Sequence, residues 1–333
     1  MAVRVEVWRG AIVESRHQVS VAVADGEGRM RAHAGDPDLV VFARSSIKPL
    51  QAVPLVEDGI ADRFGLTEEE LALVCASHSG EPAHVAVARS ILARIGVSEE
   101  ALGCGADRPF GEAAARALAA VGEQPGRIHN NCSGKHAGML ALALGNGWPV
   151  AGYVRQEHPV QERMLAAMAE WSGLAAEDIG TAVDGCGVIT FALPLSALAR
   201  VFGRFAGSGR RSGTPAARIL RAMARHPEMV AGAGRLDTDI VRVTSGRVIA
   251  KVGAEGVFAA LVPGAELGVV LKVEDGATRA AGPALVGVLC ALGVLTEEEV
   301  GALERYAEPD VMNTRRERVG AVRAVVELEA VDG

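Results

Sequence analysis

The alternation of apolar and polar positions changes its period twice along the chain. Near the N-terminus the alternation predicts two antiparallel strands, Val3–Trp8 and Ala11–Ala24, joined by a turn at Arg9-Gly10. From about residue 247, short apolar runs between Gly, Pro and Asp turns predict further strands, and a helix precedes the last of them. The strands are Val248–Val252, Val257–Val262, Leu267–Val273 and Val319–Leu328, with the helix at Thr278–Leu292.

Between these stretches the apolar residues recur at helical spacing. Helices are predicted over residues 84–95, 159–171 and 195–205, and after Thr214-Pro215, whereas the glycines and serines of 203–213 predict a mobile surface loop. The pattern favours an α/β fold in which an antiparallel sheet is built from N- and C-terminal segments and flanked by helices. The single unit would contain a sheet lobe, approximately 1–75 and 240–333, and an inserted helical lobe, approximately 76–239.

Charge and cysteine content exclude several classes of partner. The net charge is −7, from 41 acidic and 34 basic residues, which argues against nucleic acid or an anionic membrane as a partner, because phosphate binding needs clustered Lys and Arg. No apolar run reaches the ~18 residues of a membrane span, and the N-terminus does not read as a signal peptide. Five cysteines form an odd, sparse set, which indicates a reducing, cytoplasmic environment without a disulfide framework.

Lysine is rare in this chain. The 34 basic residues comprise 30 Arg and only 4 Lys, which are Lys48, Lys135, Lys251 and Lys272. Arg keeps its proton in proteins, whereas a buried Lys can become a neutral base or a ligand. Chance survival explains any one lysine. Because all but Lys272 lie in motifs that also hold Ser, Cys or Gly, those three are candidates for chemistry.

Two serine–lysine pairs can be assembled from the motifs. Ser45 and Lys48 lie three residues apart at a predicted helix start, where an amine can take the proton of a serine nucleophile. S-x-x-K alone is a weak signal. Ser77, within Cys75-Ala76-Ser77-His78, offers a second hydroxyl, and Lys251, at the end of a strand, offers a second amine. The order follows the serine β-lactamase plan, although Ser-His-Ser replaces Ser-Asp-Asn and makes a β-lactam substrate doubtful.

Two further motifs carry thiols. Asn131-Cys132-Ser133-Gly134-Lys135-His136 and Asp184-Gly185-Cys186-Gly187 together offer two thiols and a nitrogen, a donor set that suits zinc, for which His136 is chemically the better nitrogen ligand. Two alternatives remain open. The thiols are ordinary buried side chains, or Cys132 is a nucleophile with Lys135 as its base. The other cysteines are assigned to structure.

Together these motifs resemble the Rhizobium etli-type, or class 3, L-asparaginase family, along nearly the whole chain. The resemblance implies a fold shared with serine β-lactamases and bacterial glutaminases, a homodimer, and hydrolysis of L-asparagine to L-aspartate and ammonia. Glutaminase or broader amidase activity, and a non-catalytic zinc-binding protein, are the alternatives. The departures are minor: the region before Lys251 is short, and Val252 stands where Thr is common.

The resemblance also implies roles for individual residues. Ser45 with Lys48, and Ser77 with Lys251, correspond to two catalytic Ser–Lys tandems. The metal would be a modulatory zinc, for which the family implies Lys135 in place of His136. The implied zinc ligands are Cys132, Lys135 and Cys186, and the residues around the bound amino acid are Arg44, His136 and Asp184.

Overall fold

Strands lie mainly towards the two ends of the chain, and helices fill the middle. The computed structural model describes residues 2–331. Its strands are β1 (Val3–Arg9), β2 (Ile12–Asp25), β3 (Met30–Ala34), β4 (Val40–Phe42), β5 (Gly180–Val183), β6 (Ile189–Pro194), β7 (Ile249–Val252), β8 (Val257–Val262), β9 (Leu267–Val273), β10 (Asp310–Met312), β11 (Arg318–Val326) and β12 (Glu329–Ala330).

The helices follow the predicted start and stop signals closely. Thr214 caps the helix that Pro215 opens, and Gly173 ends another in the left-handed conformation. The helices are α1 (Lys48–Gln51), α2 (Val53–Glu57), α3 (Ile60–Arg63), α4 (Glu68–Val74), α5 (Pro82–Ile95), α6 (Glu112–Ala120), α7 (Ser133–Gly145), α8 (Pro159–Ser172), α9 (Leu195–Gly209), α10 (Pro215–Arg225), α11 (Pro227–Val230), α12 (Leu236–Val243), α13 (Thr278–Ala291), α14 (Glu297–Ala302) and α15 (Glu304–Ala307). Short 3-10 helices span Arg44–Ile47, Glu99–Ala101, Arg127–His129, Ala176–Asp178 and Pro263–Ala265.

The chain divides into two compact units. Within the described residues, a sheet unit comprises 2–46, 193–210 and 239–331, and a helical unit comprises 47–192 and 211–238. An antiparallel sheet of N- and C-terminal segments, with a mainly helical insertion, confirms the predicted α/β fold class. The helical unit begins earlier than the expected lobe and leaves out 193–210, while the description of the lobes as one asparaginase unit stays a prediction.

The large sheet interleaves the two ends of the chain. Its strand order is β10-β11-β1-β2-β9-β8-β7, and β3 pairs with both β2 and β12. Val5 of β1 stands opposite His17 on one side and Ala324 on the other, and these pairings are antiparallel. In the first half of β2 exposed positions alternate with half-buried or buried ones, whereas Val19–Ala24, in the part of the chain where β2 pairs with β9 and packs against α9, are buried throughout.

The predicted loop over 203–213 is wrong for its first half, because α9 continues to Gly209. The glycines allow close approach rather than mobility. A Cβ atom on Gly203 would overlap the carbonyl oxygen of Asp25 in β2, and one on Gly268 in β9 would overlap the backbone of Gly203. The helix backbone therefore lies directly on the sheet, and glycine is the residue that permits the contact.

The helical unit has α7 at its centre. Nearly every residue of α7 is buried, and it packs against α4 and α5. Gly134 and Gly138 face Leu73 and Val74 of α4 so closely that a Cβ at either position would clash. Within residues 2–331, none of the helices combines the length and the apolar character that crossing a bilayer requires.

We predict that Gly203→Ala destabilises the protein by about 1–3 kcal/mol, because the added methyl group must push α9 away from β2. Gly301→Ala is the matched control. Gly301 lies in α14 with nothing within 4 Å of a Cβ, so alanine should leave the free energy of unfolding unchanged or raise it by up to about 1 kcal/mol. Urea denaturation measures both variants, and a Gly203→Ala protein as stable as the parent would contradict the close helix–sheet contact.

Candidate functional site

The residues singled out from the sequence divide between the two units. The helical unit holds one lysine–serine pair, both thiols and most of the candidate ligands, whereas the sheet unit holds three of the candidates. The members in the helical unit are Lys48, Ser77, Cys132, Lys135, His136, Asp184 and Cys186. Those in the sheet unit are Arg44, Ser45 and Lys251.

The start of α7 is held against the segment that follows α4. The Asn130 side-chain oxygen accepts a hydrogen bond from the Cys132 N–H at 2.9 Å, which turns the chain into the helix. The close contact of Gly134 with Leu73 then brings this turn beside the end of α4. The His78 N–H donates to the Asn131 carbonyl at 3.1 Å and ties the two segments together.

Lys48 contacts both the segment that follows α4 and the turn that precedes α7. Its side chain is 1% exposed. The Nζ donates to the Ala76 carbonyl at 2.5 Å, to the Ser77 hydroxyl at 3.0 Å and to the Cys132 sulfur at 3.1 Å. Its partners are thus a carbonyl, a hydroxyl and a thiol rather than a carboxylate. The sequence paired Ser77 with Lys251, and the structure places the Lys48 amine within hydrogen-bonding distance of Ser77.

The second amine, Lys135, contacts the other thiol. Its Nζ donates to the Cys186 sulfur at 2.9 Å. Burial alone would lower the pKa of the Lys135 amine, but the nearby Cys132 and Cys186 sulfurs outweigh burial, so the pKa of Lys135 is raised. A hydrogen bond from Cys186 to Cys132 holds the pKa of Cys132 well below its usual value, against burial and with help from the Lys48 and Lys135 ammonium groups. The same hydrogen bond and burial raise the pKa of Cys186. A thiolate on Cys132, flanked by two ammonium groups, is the charge distribution that this favours.

These contacts distinguish among the candidate metal ligands. Lys135 is bonded to a thiol, whereas the His136 Nδ1 lies 2.6 Å from the Tyr153 hydroxyl. Among the residues described, no cluster of three His, Cys, Asp or Glu side chains suits a metal ion, and the Cys132, Lys135 and Cys186 set differs in that its third donor is an amine. Two sulfur donors and one nitrogen donor are chemically suited to zinc.

The thiol-nucleophile alternative paired Cys132 with Lys135. In the structure the Cys132 sulfur accepts a hydrogen bond from the Lys48 amine, and the Lys135 amine donates to the Cys186 sulfur. Lys135 nevertheless contributes to the low pKa of Cys132 through its charge.

Asp184 and Cys186 are presented by a hairpin. β5 and β6 pair antiparallel from Gly180 opposite Ala192 to Val183 opposite Ile189. The Asp184 N–H donates to the Val188 carbonyl at 2.8 Å and closes the turn. The half-exposed Asp184 carboxylate lies 4.0 Å from the Cys186 sulfur and also acts to raise the pKa of Lys135. We call Cys132, Cys186, Lys48 and Lys135 the thiol–amine cluster. The Asp184 carboxylate places a negative charge at the edge of this cluster.

In the sheet unit, Ser45 and Lys251 are carried by adjoining segments. Ser45 is half-buried in a 3-10 turn that the Ser46 hydroxyl stabilises by donating to the Ala43 carbonyl at 2.7 Å. Lys251 is fully buried at the end of β7. A Cβ on Gly253 would lie 3.2 Å from the Ala43 carbonyl oxygen, so the Lys-x-Gly segment adjoins the turn that carries Ser45.

Sequence reasoning missed several polar residues of the helical unit. His78 donates from Nε2 to the Ser133 hydroxyl at 2.9 Å, accepts from the Gly80 N–H at 3.1 Å, and stacks on His84 with 5.2 Å between the ring centroids. Tyr153 bonds to His136. His78 and Ser133 lay inside motifs named in the sequence analysis, whereas the only signal for Tyr153 was that the chain has 2 tyrosines.

A family model described as L-asparaginase II matches residues 5–324. The chain belongs to the L-asparaginase II family. The resemblance to this family, stated from the motifs, is confirmed. No curated protein matches the chain.

Solved structures similar to this member of the L-asparaginase II family include Mglu in its native form, with 15% identity and a TM-score of 0.46 over 85% of this chain. The chain spans 63% of the length of Mglu. A β-lactamase from Mycobacterium bovis is 18% identical, with a TM-score of 0.45, over 83% of this chain and 95% of that one. At such TM-scores these neighbours carry no argument.

We predict that stability falls as the pH is lowered from about 7.5 to about 5.5. Burial lowers the pKa of the His78, His84 and His136 imidazoles, so the unfolded chain binds more protons than the folded one below the ordinary histidine pKa of ~6.5. The stabilisation is complete above that pKa and is lost as the pH falls, by about 1.4 kcal/mol per pH unit for each histidine that stays neutral.

Urea denaturation across this pH range measures the slope. His84→Gln is the informative variant, because an amide N–H can replace the His84 Nε2–H that donates to the Glu228 carbonyl at 2.8 Å without binding a proton. The slope should decrease by about one proton in that variant. A free energy of unfolding that is flat over the whole range would contradict the neutral, buried histidines.

Proposed function

We propose that the protein hydrolyses L-asparagine to L-aspartate and ammonia by a serine–lysine mechanism. The family supports amide hydrolysis, and the observation that carries the finer proposal is the buried Lys48 amine, hydrogen-bonded to the Ser77 hydroxyl and the Cys132 thiol. The buried amine can take a proton from a serine once its own proton has passed to the neighbouring Cys132 sulfur, and within residues 2–331 no carboxylate is among its hydrogen-bond partners to hold it as an ammonium.

In the proposed reaction, Ser45 attacks the side-chain amide carbon of asparagine and Lys48 takes the hydroxyl proton. Backbone N–H groups near Ser45 stabilise the tetrahedral oxyanion, each contributing ~3 kcal/mol or more. The C–N bond breaks as Ser77, the hydroxyl bonded to Lys48, passes a proton to the leaving ammonia. Water then attacks the acyl-enzyme ester: its oxygen becomes part of the aspartate carboxylate, and one of its protons passes through Lys48 to Ser45 and restores the hydroxyl.

The remaining candidates bind the substrate or adjust charge. Lys251 is a second buried amine, and like charges in one site favour a neutral form for one of them. The Asp184 carboxylate suits the α-ammonium group of the substrate, the Arg44 guanidinium suits its carboxylate, and His136 supplies a further polar contact. These are roles that the chemistry of each group supports.

We propose zinc as the cofactor, held by Cys132, Lys135 and Cys186. The two sulfurs and the amine already contact one another, and the low pKa of Cys132 suits a thiolate ligand. The pKa of Lys135 is raised, so zinc would bind this amine only by displacing its proton, and binding would release that proton. When bound, zinc would supply a fixed positive charge and hold the thiols and Lys135 in place. The serine–lysine chemistry is complete without it. Homodimer formation and a cytoplasmic location stay predictions.

Comparison of two amides tests the choice of substrate. Ammonia release from L-asparagine should exceed that from L-glutamine by about tenfold or more, since one methylene group changes transition-state binding by ~1–3 kcal/mol.

Replacement of the proposed base tests the mechanism. Lys48→Arg keeps the charge but cannot take a proton, so turnover should fall by a factor on the order of 10³ or more. Lys48→Met removes the amine at similar length and should show the same loss.

The control is Lys272→Met. Lys272 lies on β9, and its Nζ donates to the carbonyls of Glu255, Val273 and Glu274. Its replacement should affect stability and leave turnover close to that of the parent. Because Lys48 is buried, circular dichroism and the melting temperature must show that its variants remain folded. A folded Lys48→Arg enzyme with parental turnover would contradict the serine–lysine mechanism, and preference for glutamine would contradict the substrate.

Removal of zinc tests the cofactor proposal. Protein purified with zinc should contain about one equivalent by elemental analysis, and Cys186→Ser should lose most of it. Chelation should weaken binding of asparagine more than it lowers the maximal rate, because the proposed zinc holds side chains and takes no part in bond breaking. Complete, zinc-reversible loss of turnover would instead indicate a metal-bound hydroxide as the nucleophile.

A further inference from the structure

The imidazole of His136 is completely buried, and among residues 2–331 only one of its two nitrogens has a hydrogen-bond partner. His136 lies in the first turn of α7, next to Lys135, and its side chain has no solvent exposure. Its Nδ1 is 2.6 Å from the Tyr153 hydroxyl oxygen, and the two rings meet edge to face at 5.6 Å. Its Nε2 has no hydrogen-bond partner within the described part of the chain.

The direction of the hydrogen bond between Tyr153 and His136 follows from a third group. The Gly103 N–H donates to the Tyr153 oxygen at 2.7 Å. If His136 also donated to that oxygen, the phenolic hydrogen would have no acceptor in its buried site. The Tyr153 O–H therefore donates to Nδ1. Burial raises the pKa of Tyr153, so the phenol keeps the proton that it donates.

The remaining proton of the neutral ring must then lie on Nε2. A buried donor left without an acceptor costs about 1–3 kcal/mol, so a ligand that supplies an acceptor would relieve this cost. The Lys135 and Lys48 ammonium groups act on the same ring. Their charge favours an oxygen acceptor with negative charge over a cation or an apolar group.

We propose that Tyr153 is a positioning residue, which holds His136 as the Nε2–H tautomer so that this N–H donates to a carboxylate or carbonyl oxygen of the amino-acid substrate. The proposal rests on the proposed function for the identity of the ligand. Tyr153 itself does not touch the substrate. Its hydroxyl sets both the tautomer and the orientation of the ring.

Gly103 completes the arrangement. A Cβ at this position would lie 2.6 Å from a methyl group of Val154 and 3.2 Å from the Tyr153 oxygen. Glycine therefore lets the backbone N–H reach the phenol. The Gly103 N–H donates to the Tyr153 oxygen, and the Tyr153 O–H in turn donates to His136 Nδ1. Each group therefore donates to the next one, from the backbone of Gly103 to the ring of His136.

Ring-nitrogen NMR tests the tautomer without any assay of turnover. In full-length protein with ¹⁵N-labelled histidine, the His136 signal, assigned by its loss in His136→Gln, should show the proton on Nε2. Tyr153→Phe should change this signal to that of a mixed or reoriented ring. A proton on Nδ1 in the parent, or a signal unaffected by Tyr153→Phe, would overturn the proposal even if the enzyme hydrolyses asparagine as expected.

A double-mutant cycle tests the consequence for the substrate. Tyr153→Phe should raise KM for L-asparagine about tenfold and change kcat by less than about threefold, as expected for a misplaced hydrogen bond. In the His136→Gln background, where an amide N–H needs no tautomer, the same change should have less than about a twofold effect. Equal effects in both backgrounds would show that Tyr153 acts through the fold alone.

Tyr306→Phe is the control, since the other tyrosine of the chain bonds to Asp239 and Arg305 in the sheet unit. It should leave KM and kcat unchanged. Absence of amide turnover in the parent would refute the proposed function and leave the NMR result to decide the role of Tyr153, so the two failures are distinguishable.

Discussion

The polar core of the helical unit depends on the burial of the Lys48 amine. Removing an ammonium group from water is costly, and the structure offsets the cost with three hydrogen bonds, to Ala76, Ser77 and Cys132. Those partners come from two separate segments, the end of α4 and the start of α7. The two helices are held together by glycine contacts, so the packing of apolar helices determines where the amine can find its partners.

The use of lysine and arginine reflects the same constraint. Lys48, Lys135 and Lys251 are at most 2% exposed, while no arginine in residues 2–331 is among the buried side chains. Arginines form surface ion pairs, such as those of Arg221 and Arg225 with Glu68. A buried guanidinium could neither lose its proton nor bind a metal, so lysine is retained where the charge of the side chain must be adjustable.

Much of the fold could be predicted from the sequence because local signals agree with the tertiary structure. Alternating strands, a Thr-Pro helix start and a Gly helix end lie where they were expected. α9 was predicted too short because glycine is found both in flexible loops and where two backbones pack closely. Only the packing of Gly203 on β2 shows that close packing is its role here. The partners of the site residues were harder to predict, since Ser77 and Tyr153 find theirs through tertiary contacts that no spacing encodes.

The thiols and the proposed base form one electrostatic unit. The Cys132 sulfur lies 3.1 Å from the Lys48 Nζ and is also hydrogen-bonded to the Cys186 thiol. A change of charge at either thiol therefore acts on the Lys48 amine at close range. This gives the thiol–amine cluster a means to influence a serine–lysine reaction without taking part in bond breaking. It also keeps Cys132 as the chemical rival of Ser45, because both are nucleophiles and Cys132 is beside a lysine.

Trapping the acyl-enzyme distinguishes these two nucleophiles directly. The enzyme is incubated with a slowly hydrolysed or electrophilic analogue of asparagine, quenched with acid, digested and analysed by mass spectrometry. The account predicts a stoichiometric adduct on the peptide that contains Ser45, which Ser45→Ala abolishes and Cys132→Ala does not. An adduct on Cys132 would contradict the central claim that a serine activated by lysine performs the reaction.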